Sequence, residues 1–185
     1  MLEPLETIRV KLCQLLKELA YKEGEFQLAS GQASNYYINC KPVTLHPQGA
    51  LWTGQLLFSL LDRDTQAVGG LTLGADPMVT AVSIVSGLMN RPLPALIVRK
   101  QAKGHGTKVW VEGQELPKGT IVTVVEDVVT TGNSAMDAAT KLGFAGYVVR
   151  QVLCLVDRQQ GGKEFIEQSG LKFQSLFCIG DLQSV

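Results

Sequence analysis

Apolar and polar residues alternate along the chain in blocks that predict helices and strands in turn. Residues 4–23 carry apolar side chains at helical spacing, with Pro4 near the start and Gly24 just after the end, so we predict an amphipathic helix there. Further helices are predicted over residues 47–63, 77–90, 133–143 and 161–169. Short apolar runs predict strands over residues 36–40, 67–73, 95–98, 121–125, 147–156 and 172–178.

Strands that are apolar throughout and alternate with helices are typical of a mainly parallel sheet covered on both faces. We therefore expect one α/β domain spanning residues 1–185. Ligands of such folds bind at the carboxyl ends of the strands, where chemistry is to be sought. One long irregular segment, residues 100–118, contains three glycines and a short run at 109–111 that could pair as a strand. Long loops of this kind are usually functional.

Composition limits the class of protein. The 185 residues are 45% apolar and 18% charged, which is enough apolar material for a folded core. Lys and Arg (17) balance Asp and Glu (17), which disfavours a nucleic-acid or membrane-surface binder. Four scattered cysteines and two histidines favour reduced thiols over a zinc site. With no signal-like N-terminus and no apolar run of ~20 residues, we expect an intracellular protein that does not bind membranes.

The strongest chemical signal is an acidic strand end followed by a loop of small residues. Glu126 and Asp127 end an apolar run, and Thr130 to Ser134 follow before a predicted helix. The loop can direct backbone N–H groups, hydroxyls and the start of the helix at one phosphate. The two carboxylates would repel a phosphate, but they suit a sugar diol or the surroundings of a magnesium ion. A ribose 5-phosphate would satisfy both halves.

A simpler interpretation is an ordinary capped helix after a strand, with Asp127 or Ser134 as the cap. It explains one residue but not the whole string. Neither a Walker loop nor a dinucleotide-binding glycine fingerprint is present.

The string from Val124 to Ser134 resembles the phosphoribosyl diphosphate (PRPP) motif of type I phosphoribosyltransferases. This resemblance implies a central, mostly parallel sheet flanked by helices, with a small hood built from about residues 1–45. It also implies that Glu126 and Asp127 bind the ribose hydroxyls. The residues that would cradle the 5-phosphate are Val128, Val129, Thr130, Thr131, Gly132, Asn133 and Ser134.

A cluster of cations follows the predicted strand at 95–98. Arg99, Lys100, Lys103 and His105 lie within seven residues of a chain with no net charge. A diphosphate leaving group needs several such charged donors, although an isolated basic loop is more often only a solvated surface. The segment resembles the catalytic loop of orotate phosphoribosyltransferases. That resemblance implies that these four residues bind PRPP, that Lys103, His105 and Asp127 are catalytic, and that a flexible loop of about residues 100–112 is shared across a homodimer.

The base-binding end is predicted after the strand at 147–156. Arg158, with its planar fork of donors, suits the carboxylate of orotate, although alone it would be read as part of a polar loop. In orotate phosphoribosyltransferases a similar arginine binds orotate, and Thr130 matches a second contact. The N-terminal segment from Phe26 to Asn39, which includes Ser34 and Tyr36, resembles the segment that covers the base in this group. The resemblance implies that Tyr37 and Ile38 pack near the ring.

Two positions depart from the pattern of many relatives. Ala29 and Asp76 stand where a lysine is common, which lowers the positive charge of the site.

The resemblance as a whole implies a cytoplasmic, Mg²⁺-dependent enzyme of de novo pyrimidine (UMP) biosynthesis. It would convert orotate and PRPP to orotidine 5′-monophosphate and diphosphate, with Mg²⁺ held mainly through the substrates and no dedicated set of protein ligands. Three alternatives stay open at this point: transfer to a purine or to uracil, a regulator that binds PRPP without turnover, and an α/β domain without activity.

Overall fold

A computed structural model of the chain describes residues 3–27, 33–101 and 110–184, which form seven helices and eight strands. The helices are α1 (Leu5–Leu19), α2 (Lys41–Thr44), α3 (Pro47–Leu60), α4 (Asp76–Leu88), α5 (Asn133–Phe144), α6 (Gly162–Gln168) and α7 (Ile179–Gln183). The strands are β1 (Tyr21–Gln27), β2 (Ala33–Ile38), β3 (Ala67–Leu71), β4 (Ala95–Val98), β5 (Val111–Gly113), β6 (Ile121–Val129), β7 (Val148–Asp157) and β8 (Lys172–Cys178).

Six of the strands form the central sheet, in the order β5-β4-β3-β6-β7-β8. Five of them run parallel, and the short β5 pairs antiparallel with β4 at one edge. β3 is buried along its whole length because strands flank it and helices cover both faces. The predicted α/β fold with a mostly parallel sheet and flanking helices is confirmed.

Apolar side chains from the two faces of the sheet form two separate cores. Leu153 belongs to the core that contains α1, α3 and α4, whereas Val152 belongs to the core with α5 and α6. This division follows the alternation of side chains along a strand. The carboxyl ends of the parallel strands β3, β4, β6 and β7 lie at the same edge of the sheet, where the parallel-sheet rule places a ligand.

The hood is a two-stranded antiparallel ribbon in which Tyr21 pairs with Ile38. The predicted helix over 4–23 is too long, since α1 ends at Leu19 and the chain continues into β1. β1 was not predicted because most of its residues are polar and exposed, so it lacks an apolar pattern. The short helices α2 and α7 were also not predicted.

Two further boundaries differ from the prediction at the site. β6 runs to Val129 rather than ending at residue 125, because Val128 and Val129 pair with Val156 and Asp157 of β7. The predicted strand near 109–111 is present as β5, which begins at Val111. No helix within the described ranges is long and apolar enough to cross a membrane.

Candidate active site

The acidic pair lies within β6, just before the small-residue loop. Glu126 is only 5% exposed, and its Oε2 atom has no hydrogen-bond partner among the described residues. Burial, followed by repulsion from Asp127, raises the pKa of Glu126 well above its ordinary value. A buried carboxyl oxygen without a partner is costly, so this atom is available to a donor brought by a ligand.

Asp127 is held against the loop that follows β3. Its Oδ1 atom accepts a hydrogen bond from the N–H of Val128 at 3.0 Å, and its Oδ2 atom lies 3.8 Å from the Lys41 ammonium. A Cβ atom at Gly74 would come within 2.5 Å of the Asp127 carboxylate, so only glycine fits there without a shift. The loop at 72–76 therefore packs directly on the acidic strand end.

The loop after β6 forms a small cavity at the start of α5. Gly132 adopts a left-handed backbone (φ +83°), and no side chain of the described residues caps the helix. The cavity has a volume of about 70 Å³ and is lined by Glu126 and residues 128–135. That is well below the ~300 Å³ of a pocket for a whole ligand, so it suits one small group such as a phosphate. The N–H groups of the first helical turn favour an anion there.

The cationic segment begins where β4 ends. The Arg99 guanidinium donates to Glu112 at 3.0 Å, while the Lys100 side chain is exposed. The positive charge of Lys100 acts to lower the pKa of Glu126, which opposes the larger effect of burial. Lys103 and His105, which the sequence places in this segment, lie outside the described residues.

Arg158 follows β7 and meets the hood. It is 7% exposed, its Nε donates to the Tyr36 hydroxyl at 3.1 Å, and one terminal nitrogen donates to Ser34 Oγ at 3.3 Å. Its main-chain N–H donates to the Val129 carbonyl at 2.9 Å, which ties it to β6. The structure thus brings Arg158 and Thr130 to neighbouring strand ends, and it adds Tyr36 and Ser34 as supports of the guanidinium.

Tyr37 and Ile38, which the resemblance places near the base, have different surroundings. Tyr37 is exposed and packs its ring against Phe26, on the face of β2 opposite Tyr36. Ile38 lies on the same face as Tyr36 and packs against the core. Their contact with a base stays a prediction. Ser34 and Tyr36 belong to the N-terminal segment that the resemblance identified, but their contacts with Arg158 were not predicted, because the alternation of β2 is visible in its burial and not in its residue types.

No protein-family model matches the chain, whereas individual relatives match it over nearly its full length. The orotate phosphoribosyltransferase of Nostoc sp. is 66% identical over 177 residues, covering 96% of this chain and 86% of the relative. That of Synechocystis sp. is 59% identical, covering 98% and 92%. The chain belongs to the orotate phosphoribosyltransferase family.

A solved structure supports the same family at the level of the fold. The orotate phosphoribosyltransferase of Mycobacterium tuberculosis, in complex with PRPP, superposes with a TM-score of 0.80 at 37% identity, covering 95% of this chain and 99% of the other. Family membership confirms the resemblance read from the acidic strand end, the cationic segment and Arg158. Of the two departures from the common pattern, Asp76 begins α4, whereas Ala29 lies outside the described residues.

Proposed function

We propose that this protein transfers the phosphoribosyl group of PRPP to orotate, giving orotidine 5′-monophosphate and diphosphate in the biosynthesis of UMP. The observation that carries the proposal is the cavity at the end of β6. It is lined by the loop at 128–135 and by Glu126, whose Oε2 atom has no hydrogen-bond partner among the described residues. A ribose 5-phosphate presents hydroxyl donors to Glu126 and an anion to the loop.

The reaction exchanges one bond for another at the anomeric carbon. The base nitrogen of orotate forms a bond to that carbon while the bond to the diphosphate oxygen breaks, and the electron pair leaves with diphosphate. Positive charge develops on the ribose ring and negative charge on the leaving group. Protein groups that hold the two substrates in line and stabilise these charges supply most of the acceleration.

We assign the ribose hydroxyls to Glu126 and Asp127, whose carboxylates accept hydrogen bonds. The 5-phosphate is assigned to the loop from Val128 to Ser134, where neutral N–H and hydroxyl donors converge. Diphosphate is assigned to the cations at Arg99, Lys100, Lys103 and His105. When diphosphate binds, Arg99 would either leave Glu112 and contact the ligand, or stay bonded to Glu112 and keep the segment in place.

Orotate is assigned to the end of β7. The buried guanidinium of Arg158 can pair with the carboxylate of the base, and desolvation strengthens such a pair. Thr130, just after the neighbouring strand, provides a hydroxyl. Tyr37 and Ile38 stay predicted base contacts, and of the two only Ile38 shares the face of Tyr36, which is bonded to Arg158. Uracil and hypoxanthine lack the carboxylate, so the assignment of Arg158 separates orotate transfer from transfer to another base.

We further propose that the reaction needs Mg²⁺, bound mainly through oxygens of PRPP. Within the described ranges no group of three or more His, Cys, Asp or Glu residues is placed to hold a metal. The acidic pair at Glu126 and Asp127 fits a cation nearby, because the carboxyl oxygen of Glu126 lacks a partner among the described residues. When bound, Mg²⁺ would neutralise charge on the diphosphate.

We propose a homodimer in which the cationic loop completes the neighbour's site. A groove of about 720 Å³ between α2, α3 and α4 is lined largely by apolar side chains, with Leu45, Leu73 and Ile84 exposed. Lys41 and Asp76 line the same groove, and the Lys41 ammonium lies 3.8 Å from Asp127 at the acidic strand end. A second copy seated there would place its own residues beside the substrates, as a shared loop requires.

The cytoplasm is the proposed compartment. All four cysteines are free thiols and three of them are buried, as is usual in a reducing environment. The proposed partners are the two small substrates and a second copy, with no role for nucleic acid or membrane.

The loss of orotate ultraviolet absorbance tests the function directly. Purified protein is mixed with PRPP and Mg²⁺ and each of orotate, uracil and hypoxanthine in parallel. We expect consumption of orotate alone, abolished by a chelator and restored by excess Mg²⁺. Consumption of another base instead would contradict the proposal and favour transfer to a purine or to uracil. PRPP binding without turnover of any base would contradict it and favour a regulator that binds PRPP.

A further inference from the structure

Lys141 is a buried lysine whose ammonium is fully engaged. It lies in the last turn of α5 and is 8% exposed. It donates to the main-chain oxygens of Arg99 at 3.1 Å and Lys100 at 3.2 Å, and to Asp137 Oδ2 at 2.7 Å. These three contacts account for the three N–H donors of an ammonium group. Lysine is seldom buried without such compensation.

The same ammonium also contacts the far side of the cationic segment. It lies 4.5 Å from the centre of the Trp110 ring, a cation–π distance. The Arg99 N–H donates to the Trp110 carbonyl at 2.8 Å, which joins the two chain segments directly. Lys141 therefore binds the main chain at Arg99 and Lys100 and contacts the side chain of Trp110 on the other side of the segment.

The helix that carries Lys141 begins at the candidate phosphate loop. One rigid element, α5, thus connects the start of the phosphate-binding turn to the base of the cationic segment. The carbonyls of Arg99 and Lys100, at the start of the cationic segment, are thus tied to this helix. A shift of the main chain there would move the cations that the proposed function assigns to diphosphate.

We propose that Lys141 is a positioning residue for phosphoribosyl transfer, fixing Arg99 and Lys100 relative to the helix that begins at the phosphate loop. The proposal rests on the proposed function, because its consequence is measured on that reaction. In this role Lys141 contacts neither substrate. It acts through the main chain of Arg99 and Lys100, whose cations the proposed function assigns to the diphosphate.

A merely structural Lys141 would give a different result. Its removal would then lower the thermal midpoint of unfolding and leave kcat unchanged at temperatures where the protein is folded. A positioning residue must instead affect the step in which charge develops. We expect Lys141→Met, which keeps the length of the side chain, to lower kcat at least about tenfold while KM for orotate stays within about twofold, since misplacement by ~1 Å can cost a factor of ~10².

Two variants make the comparison specific. Lys141→Arg keeps charged donors and is expected to recover at least about a third of wild-type kcat, because an arginine can still donate to main-chain oxygens. Asp137→Asn removes the half-exposed partner of the ion pair but leaves both carbonyl contacts, so it is expected to lower stability and to retain at least about half of kcat. Circular dichroism and thermal melts establish that each variant is folded at the assay temperature.

The outcomes separate the proposal from the function on which it rests. Wild-type kcat in folded Lys141→Met, or equal losses in Lys141→Met and Asp137→Asn, would overturn the positioning role. If wild type binds PRPP without consuming orotate, the proposed function fails. The positioning role of Lys141 is then tested by the binding of inorganic diphosphate, measured by calorimetry. A loss of affinity of at least about threefold in Lys141→Met, against no change in Asp137→Asn, would support positioning of the cations. Equal affinities would overturn it.

Discussion

The guanidinium of Arg158 lies over the ring of Tyr36, with its central carbon 4.7 Å from the ring centre and its Nε bonded to the Tyr36 hydroxyl. The two residues are 122 positions apart in the chain. Their contact joins the hood to the sheet and sets the direction of the buried arginine that follows β7. A side chain held in this way loses little freedom when it binds a carboxylate.

Removal of the Tyr36 hydroxyl should therefore weaken orotate binding without abolishing turnover. In Tyr36→Phe the ring and its cation–π contact remain, but one hydrogen bond to Arg158 is lost, which is worth about 1 kcal/mol. We expect KM for orotate to rise about fivefold with kcat nearly unchanged. Tyr147→Phe removes a hydroxyl bonded far from the hood, to the Leu116 N–H, and serves as the control. An unchanged KM in Tyr36→Phe would show that Arg158 does not depend on this support.

Glu126→Gln should stabilise the unliganded protein and impair it as an enzyme. The folded state raises the pKa of Glu126, so ionisation destabilises the fold increasingly as pH rises from the ordinary value of 4.5. The amide has no such charge. We expect its thermal midpoint to exceed that of wild type by at least about 2 °C at pH 8, the effect of ~1 kcal/mol in a domain of this size, with the gap closing toward about pH 5.

The same substitution, Glu126→Gln, should also lower activity. A neutral amide accepts hydrogen bonds from the ribose hydroxyls more weakly than a carboxylate, so kcat/KM for PRPP should fall about tenfold or more. Glu115→Gln, at an exposed position, controls for the change of side chain. A midpoint difference that is the same at low and high pH would argue against ionisation of buried Glu126 as the cause.

Gly74→Ala should damage the acidic strand end. The added methyl group would lie 2.5 Å from Asp127 Oδ1, so either the carboxylate or the loop at 72–76 must move. We expect kcat/KM for PRPP to fall at least about tenfold. Gly87→Ala is the matched control, because no atom of the described residues lies within 4 Å of a Cβ atom at that helical position. It should keep full activity and gain up to ~1 kcal/mol of stability from helix propensity. Equal activity of the two variants would contradict the close packing of Gly74 on Asp127.

Lys103→Ala should lower kcat about 10²-fold or more and weaken PRPP binding much less, because its charge is needed most as diphosphate departs. Isothermal calorimetry with PRPP and steady-state kinetics separate the two effects. Turnover like that of wild type would end the assignment of Lys103.

The shared loop can be tested by mixing two inactive variants. Lys103→Ala and Arg158→Ala each disable every site of their own dimer. If the loop crosses to the partner, a mixed dimer has one site with both residues intact, so an equal mixture of exchanging subunits should recover about a quarter of wild-type activity. No recovery, with mixed dimers verified by mass spectrometry, would place the loop in its own subunit's site.

Local patterns in the sequence predicted most of the sheet and helices well. The apolar runs at 67–73, 95–98 and 172–178 each correspond to a strand, and Gly132 with the residues after it predicted the start of α5. β1 was not predicted because two-stranded ribbons bury few residues, so their polar sequences carry no period. The end of β6 was misplaced because Glu126 and Asp127 look like loop residues, whereas pairing with β7 continues beyond them.

Local sequence patterns could not predict contacts that depend on the folded arrangement. Lys141 reads as an ordinary charged residue in the last turn of a helix, where cations are common. Its burial becomes visible only when the end of β4 is brought beside α5. Gly74 and Tyr36 are similar cases, since each contacts a residue from a distant part of the chain, Asp127 and Arg158 respectively.

The adjacency of β6 and β7 has a consequence for which ligands the enzyme can accept. The phosphate loop leaves one strand and Arg158 leaves the other, and the Arg158 N–H is bonded to the Val129 carbonyl. The main chain at the two ends of the site is therefore held at the spacing of adjacent hydrogen-bonded strands, roughly 4.8 Å. The pairing of the two strands thus fixes the main chain at both ends of the sugar. Side-chain replacements around residues 158–160 can change which base is read, but a ligand with a longer or shorter link between base and phosphate would miss one end.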